Sequence, residues 1–160
     1  MRFTSTLALL LLGTTLGHAA CSGVPSPERV ARAQIGEPPS RETAVALATA
    51  HLKATLPAID PKTLVFEQLE RGFYGLGAGS RNQRYAWQLS ASPANAGRSS
   101  ATEGTNYLFF FLGERLVAAA FPNSAWTGRG YRSSYEIQEF DGGGLTPEAA
   151  GLERRFVPRN

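Results

Sequence analysis

Between residues 41 and 56 the apolar positions recur at the spacing of an α-helix. The apolar stripe consists of Val45, Ala48, Leu52 and Leu56. Ser40 is a residue type that caps the start of a helix, and Glu42 places a negative charge in the first turn, where it favours the helix dipole. Pro57 is expected to end the helix.

Further along the chain the pattern changes to that of strands, and the clearest case is a hairpin. Residues 107–112 and 116–121 are apolar at consecutive positions and flank the turn Gly113-Glu114. Because consecutive apolar residues point to opposite faces of a strand, both faces of this hairpin are expected to be covered. The sequence therefore predicts two central strands.

Weaker strand patterns lie on either side of the hairpin, over residues 63–69, 84–90 and 131–140. In the middle segment Tyr85, Trp87 and Leu89 alternate with more polar or smaller residues, as in a half-buried strand. Thr146, followed by Pro147, is typical of a helix start. The predicted fold class is α+β: one N-terminal helix packed on an antiparallel sheet of four to five strands, with a short C-terminal helix, in a single domain over 41–160.

The first 20 residues have the three-part layout of a secretory signal peptide. Arg2 supplies the positive start, residues 7–12 are apolar, and small residues precede position 21. Too few residues separate Arg2 from His18 for a helix that spans a bilayer, which takes about 20. We therefore expect an extracytoplasmic protein without a transmembrane anchor.

Cys21, the only cysteine, lies where the signal peptide is expected to be cleaved. Ala19-Ala20-Cys21 resembles the processing site of bacterial lipoproteins, in which the cysteine becomes the first residue and carries lipid on its sulfur. We predict lipid attachment at Cys21, which makes membrane lipid the first expected partner. The alternative is cleavage near Ala20 that leaves a freely secreted or periplasmic protein. One cysteine permits neither an intrachain disulfide nor a cysteine-based metal site.

Residues 21–40 separate this processing site from the predicted domain. Four prolines and two glycines fall among them, together with scattered charges. Such a composition is typical of a flexible tether that holds a domain off a membrane.

Composition adds two limits. Hydrophobic residues make up 42% of the chain and charged ones 18%, which permits a packed core. The formal charge is +3, and loss of Arg2 with the signal peptide leaves 15 basic against 13 acidic residues, or +2. That excess is too small to indicate a nucleic-acid partner.

No catalytic constellation emerges from the candidate residues. His51 is the only histidine after the signal peptide; it is either a general base or, more simply, a structural residue at the helix rim. Glu136 and Glu139 fall on opposite faces of their strand, and Glu139 with Asp141 is at best a weak cation site. We expect no catalytic residue, no metal and no cofactor; a small hydrolase using His51 is retained as an alternative.

Two segments are candidates for ligand binding. Residues 72–81 are rich in glycine and include Tyr74 and Arg81, so backbone and guanidinium groups could approach an anion; a plain flexible connection is the alternative. Trp126 and Tyr131 flank a short glycine-containing loop and could form an aromatic patch for an unknown envelope ligand or protein.

Three consecutive alanines, residues 118–120, lie inside one of the apolar strands. Small side chains there either let another element pack closely or leave room for a small apolar ligand. Close packing is the simpler interpretation.

The hairpin also carries a resemblance to a known family. Its residues are Phe109-Phe110-Phe111-Leu112-Gly113, followed by Leu116, Ala119 and Pro122. This pattern resembles the hairpin of the LppP/LprE family of bacterial lipoproteins, where aromatic residues precede a glycine turn and a strand of small residues ends near a proline. The resemblance implies an envelope lipoprotein of unassigned molecular role, and it supplies no catalytic residues.

Overall fold

The computed structural model describes residues 25–75, 82–94, 106–126 and 131–152. The predicted signal peptide and Cys21 lie outside these residues. The described helices are α1 (Pro27–Ala31), α2 (Arg41–Thr55) and a 3₁₀ turn (Pro61–Thr63). The strands are β1 (Leu64–Phe66), β2 (Glu70–Gly75), β3 (Gln83–Pro93), β4 (Tyr107–Leu112), β5 (Arg115–Trp126) and β6 (Tyr131–Glu139).

Within the described ranges, the strands form one antiparallel sheet in the order β1-β3-β4-β5-β6, with β2 also paired to β3. The sheet thus has six strands rather than the expected four to five, because β1 and β2 pair with different parts of the long strand β3. The sequence missed β2, since glycines are depleted in strands. Gly72 is required there, because a Cβ atom would lie 2.6 Å from the Gln88 side chain.

The hairpin β4–β5 is confirmed as the centre of the sheet. Gly113 turns the chain with a φ of +55°, which glycine adopts without strain. Phe110 pairs with Ala118 and Phe111 with Leu116, so Val117 is an extra residue in β5 and forms a bulge. Both faces of the hairpin are buried, as the consecutive apolar positions predict.

Helix α2 covers one face of this sheet. The Ser40 side chain accepts a hydrogen bond from the Thr43 amide at 3.1 Å, which confirms the predicted cap. Small residues on the helix allow close approach to the strands. The core between them contains Ala44, Ala48 and Leu52 from α2 and Leu89, Ala91, Phe109, Phe111, Ala119 and Phe121 from the sheet.

On the opposite face the sheet curls, so that its outer strands approach each other. The Tyr74 hydroxyl on β2 donates a hydrogen bond of 2.6 Å to Glu139 on β6. Beneath this contact lies a second core of Tyr74, Ala86, Phe110, Val117, Ala118 and Ala120. The alanines of β5 thus serve close packing, since Ala118 and Ala120 are buried in this second core and Ala119 faces α2.

Residues 25–40, part of the predicted tether 21–40, pack against the domain. Val30, Ala33 and Ile35 are buried in a third cluster with Tyr85. The Arg71 guanidinium donates hydrogen bonds to the carbonyl groups of residues 31 and 33, at 2.8 and 2.7 Å. Apolar residues spaced between the prolines explain the docking, which composition alone did not indicate. Residues 21–24 lie outside the described residues.

The predicted short C-terminal helix is instead a single hydrogen-bonded turn over residues 147–151. The Thr146 hydroxyl caps it by accepting from the Ala149 amide at 3.2 Å, so the predicted start is present. Gly151, at a φ of +70°, ends the turn before a helix forms. In the described part of the chain, no helix is long and apolar enough to cross a membrane.

Candidate functional site

An open cleft of about 680 Å³ lies where α2 ends, on the same face of the sheet as that helix. One wall is the C-terminal end of α2 with the residues that follow it, and the other comes from the start of β4, the interior of β5 and the second half of β6. The lining residues are Thr55, Leu56, Pro57, Ala58, Ile59, Tyr107, Phe121, Pro122, Asn123, Glu136 and Gln138.

The floor of the cleft is apolar and held by aromatic contacts. Phe121 stacks on the His51 ring, with centroids 5.7 Å apart and planes 9° from parallel. The Tyr107 ring meets Phe121 edge-on, with centroids 6.3 Å apart, and the Phe109 ring does so at 6.4 Å. Because Phe121 is held on three sides, the floor is preformed.

The polar rim comes from β6. Glu136 pairs in register with Phe121, and Gln138 pairs with Ala119. Alternate residues of a strand share a face, so Glu136 and Gln138 both lie on the α2 side. Glu139 lies on the other side, where it meets Tyr74. The prediction that Glu136 and Glu139 point to opposite faces is therefore confirmed.

The cleft has a negative electrostatic character. Glu136 is the only charged residue among the described lining residues. The C-terminus of α2, a helix of 15 residues, adds the negative end of a helix dipole. Pro57 has no amide hydrogen, so the carbonyl of Lys53 has no helical donor four residues on. The Lys53 side chain, in the last turn of α2, is exposed and is not among the lining residues.

His51 supports the floor rather than lining the cleft. Its ring lies against Phe121 and meets Phe140 edge-on at 5.0 Å. Its Nε2 atom is 3.4 Å from the hydroxyl oxygen of Thr55, which is a long contact. Burial lowers the pKa of His51 below its ordinary 6.5, so the neutral ring is favoured. These contacts are those of a packing residue.

Tyr74, predicted as a ligand-binding residue, is only 4% exposed. Its hydroxyl donates to Glu139 and accepts from the Gly144 amide, each at 2.6 Å. Burial, followed by the hydrogen bond to Glu139, raises the pKa of Tyr74 well above its ordinary 10. A buried ring whose hydroxyl has two partners leaves no surface for a ligand in this conformation.

The turn after β6 is shaped around this hydroxyl. Gly143 has a φ of +71°, and a Cβ atom there would collide with the Glu139 carboxylate. A Cβ atom on Gly144 would lie 3.0 Å from the carbonyl of Tyr85. The Glu139 carboxylate also lies 4.0 Å from Arg84. Glu139 is thus engaged by Tyr74 and Arg84.

The other predicted binding residues are placed only in part. Trp126 and Tyr131 are register partners at the end of the β5–β6 ladder, three steps beyond Asn123, and their side chains are not described. Arg81 lies outside the described residues. Of the glycine-rich segment, residues 72–75 belong to β2. The structure thus places Trp126 opposite Tyr131 on adjacent strands and Tyr74 on a different strand, β2.

Sequence reasoning missed the cleft because its residues are far apart in the chain and none is unusual alone. The one signal was Pro57, which marks the end of a helix whose carbonyl groups need other partners. The position of that end above Phe121 is a property of the packed fold.

A second concave surface, an apolar groove of about 490 Å³, lies at the other edge of the sheet, between α1 and β2. Its lining residues are Pro25, Pro27, Val30, Ala31, Glu70, Arg71, Gly72 and Phe73. In the strand order β3 and β4 separate this groove from the β5–β6 side of the sheet, where the cleft lies.

The described residues contain no group of three or more histidine, cysteine or acidic residues that could hold a metal ion. In comparisons with known proteins, the chain matches no family model, no curated protein and no solved structure. The likeness of the hairpin to LppP/LprE lipoproteins accordingly stays a prediction.

Proposed function

We propose that this chain is an exported, lipid-anchored protein of the bacterial envelope whose domain binds a ligand without catalysing a reaction. The observation that carries the binding role is the cleft at the end of α2. Its volume lies within the range of small-molecule sites, and it combines an apolar floor with a few polar groups on one rim, as such sites do. The one hydroxyl–histidine contact beside the cleft, between Thr55 and His51 Nε2, is long at 3.4 Å.

The position of the N-terminus supports the anchoring role. Pro25 lines the apolar groove at the β2 edge, and it lies four positions after Cys21, with three residues between them. An extended chain of four residues spans at most about 14 Å. A lipid on Cys21 would therefore hold the β2 edge close to the membrane. The cleft is lined by none of the residues that line this groove.

The test is cell fractionation together with the intact mass of the processed protein, in a bacterial host. The wild-type chain is expected in the membrane fraction, beginning at Cys21 and carrying the added mass of a diacylglyceryl group. Cys21→Ala is expected to be released or to remain unprocessed. Ser22→Ala, next to the lipidation site, is the matched control and is expected to behave as the wild type.

The contrary result would be an unmodified wild-type chain that begins near Ala20 and fractionates like Cys21→Ala. That result would exclude the lipid anchor and leave a freely secreted binding module. The cleft does not depend on this outcome, because all the residues that form it belong to the folded domain.

A further inference from the structure

We infer that the cleft at the end of α2 binds a small organic cation: an ammonium group on an apolar body. This inference rests on the proposed binding function and names the chemistry of the ligand. Three independent features of the described cleft converge on it: a helix C-terminus, a carboxylate and aromatic rings.

The helix end gives the first argument. The last four carbonyl groups of an α-helix lack partners within the helix and carry its negative partial charge. Two residues follow the last turn of α2. The Leu56 amide donates a hydrogen bond to the carbonyl of Leu52 at 2.7 Å, and Pro57 has no amide hydrogen to donate. Thr55, Leu56 and Pro57, at this carbonyl end of α2, all line the cleft. A group with several N–H donors and a positive charge suits such an end.

The carboxylate gives the second argument. Glu136 lies across the cleft on β6, on the face toward α2, and it is an exposed residue. No cationic side chain is among the described lining residues, so the carboxylate and the helix end reinforce one another. An anionic ligand would meet two negative features, whereas a cation would meet two favourable ones.

The aromatic floor gives the third argument. The partly exposed Tyr107 lines the cleft, and the electron-rich face of such a ring attracts a cation within about 6 Å. Phe121, which is only 6% exposed, adds apolar surface. Leu56 and Ile59 supply aliphatic surface beside them. A ligand that carries its charge on an apolar body can use both surfaces. The volume of about 680 Å³ admits a small molecule rather than a folded partner.

The experiment uses three probes of the same shape: phenethylammonium, the neutral 2-phenylethanol and the anionic phenylacetate. Each is titrated into the full chain, purified in detergent, and binding is followed through the backbone amide signals in ¹H–¹⁵N NMR spectra. We expect saturable binding of phenethylammonium, with a Kd on the order of 1 mM or tighter. The amides of Leu56, Ile59 and Phe121 are expected to shift.

The variant that tests the charge is Glu136→Gln, which keeps the shape of the side chain. We expect it to bind phenethylammonium about tenfold more weakly. Glu114→Gln removes an exposed carboxylate from the β4–β5 turn, at the other end of those strands, and is expected to bind as the wild type. The thermal midpoint of each variant is measured to show that both are folded.

Equal affinity for 2-phenylethanol, stronger binding of phenylacetate, an unchanged Kd in Glu136→Gln, or shifts confined to residues outside the cleft would each overturn the inference. So would the absence of saturable binding. Any of these results would leave the lipid anchor intact, since fractionation and mass test that separately. Conversely, cation binding by a chain that proves to be unlipidated would support the inference and exclude the anchor.

Discussion

Tyr74 on β2 and Glu139 on β6 are joined by a hydrogen bond of 2.6 Å, although β3, β4 and β5 lie between their strands in the sheet. The contact exists because the sheet curls over Ala118 and Ala120, whose small side chains leave space for the Tyr74 ring. The two edges of the sheet are thereby tied together on the face opposite α2.

Removing the hydroxyl in Tyr74→Phe leaves the Gly144 amide without its acceptor and the Glu139 carboxylate without its donor. We expect the free energy of unfolding to fall by about 1–3 kcal/mol, as for other buried groups that lose a partner. Urea denaturation measures this. Tyr135→Phe, in the same core cluster, is the control and should cost less. Equal losses in the two variants would contradict a special role for the Tyr74 hydroxyl.

The glycine turn beside this contact gives a second prediction. Gly142 and Gly143 both have positive φ, at 84° and 71°, so alanine is strained at either position. Only at Gly143 would the new Cβ atom also collide with Glu139, while nothing lies within 4 Å of it at Gly142. We expect Gly143→Ala to be about 1–2 kcal/mol less stable than Gly142→Ala. Thermal denaturation of the two variants separates the effect of the collision with Glu139 from that of backbone strain. Equal midpoints would show that Glu139 moves aside at no cost.

Much of the fold follows from local pattern. The spacing of Val45, Ala48 and Leu52 predicts α2, and Ser40 and Pro57 predict its ends to within two residues. The central hairpin is equally clear, because consecutive apolar residues around Gly113 leave few other structures. Strand β2 was missed because Gly72 is typical of a loop, and its need for glycine arises only from its contact with Gln88 on β3.

The candidate site was much harder to predict than the fold. The cleft depends on where α2 ends relative to Phe121 and on which face of β6 carries Glu136, and both depend on tertiary packing. Tyr74 was singled out because it lies among glycines; its actual partners, Glu139 and Gly144, are about 70 residues away in the sequence. A single sequence does not record such pairings.

The packing of His51 predicts a dependence of stability on pH. Burial lowers its pKa in the folded protein below the value of 6.5 expected for the unfolded chain. As the pH falls below 6.5, the unfolded chain therefore takes up the proton more readily than the folded protein. The contribution of neutral His51 to the free energy of unfolding is complete above pH 6.5 and is lost as the pH falls toward the pKa of the folded protein. We expect the free energy of unfolding to decrease between pH 7.5 and pH 5.5 by more in the wild type than in His51→Gln. Parallel curves would show that the ring is protonated without cost in the fold.

The last prediction concerns Arg71, which holds residues 25–40 against the domain through hydrogen bonds. Its guanidinium donates to the carbonyl groups of Ala31 and Ala33 and lies 5.5 Å from the centre of the Trp87 ring. Lysine keeps the charge but lacks the planar fork that makes both hydrogen bonds and stacks on the ring. We expect Arg71→Lys to loosen this segment while leaving the sheet folded.

Limited proteolysis, followed by mass spectrometry of the fragments, measures that loosening. Arg71→Lys should be cut between residues 25 and 40 several-fold faster than the wild type, because cleavage follows the population of the opened segment. Arg115→Lys, an exposed residue at the start of β5, is the control and should be cut at the wild-type rate. If both variants are cut equally slowly, the apolar contacts of Val30, Ala33 and Ile35 hold the segment without Arg71.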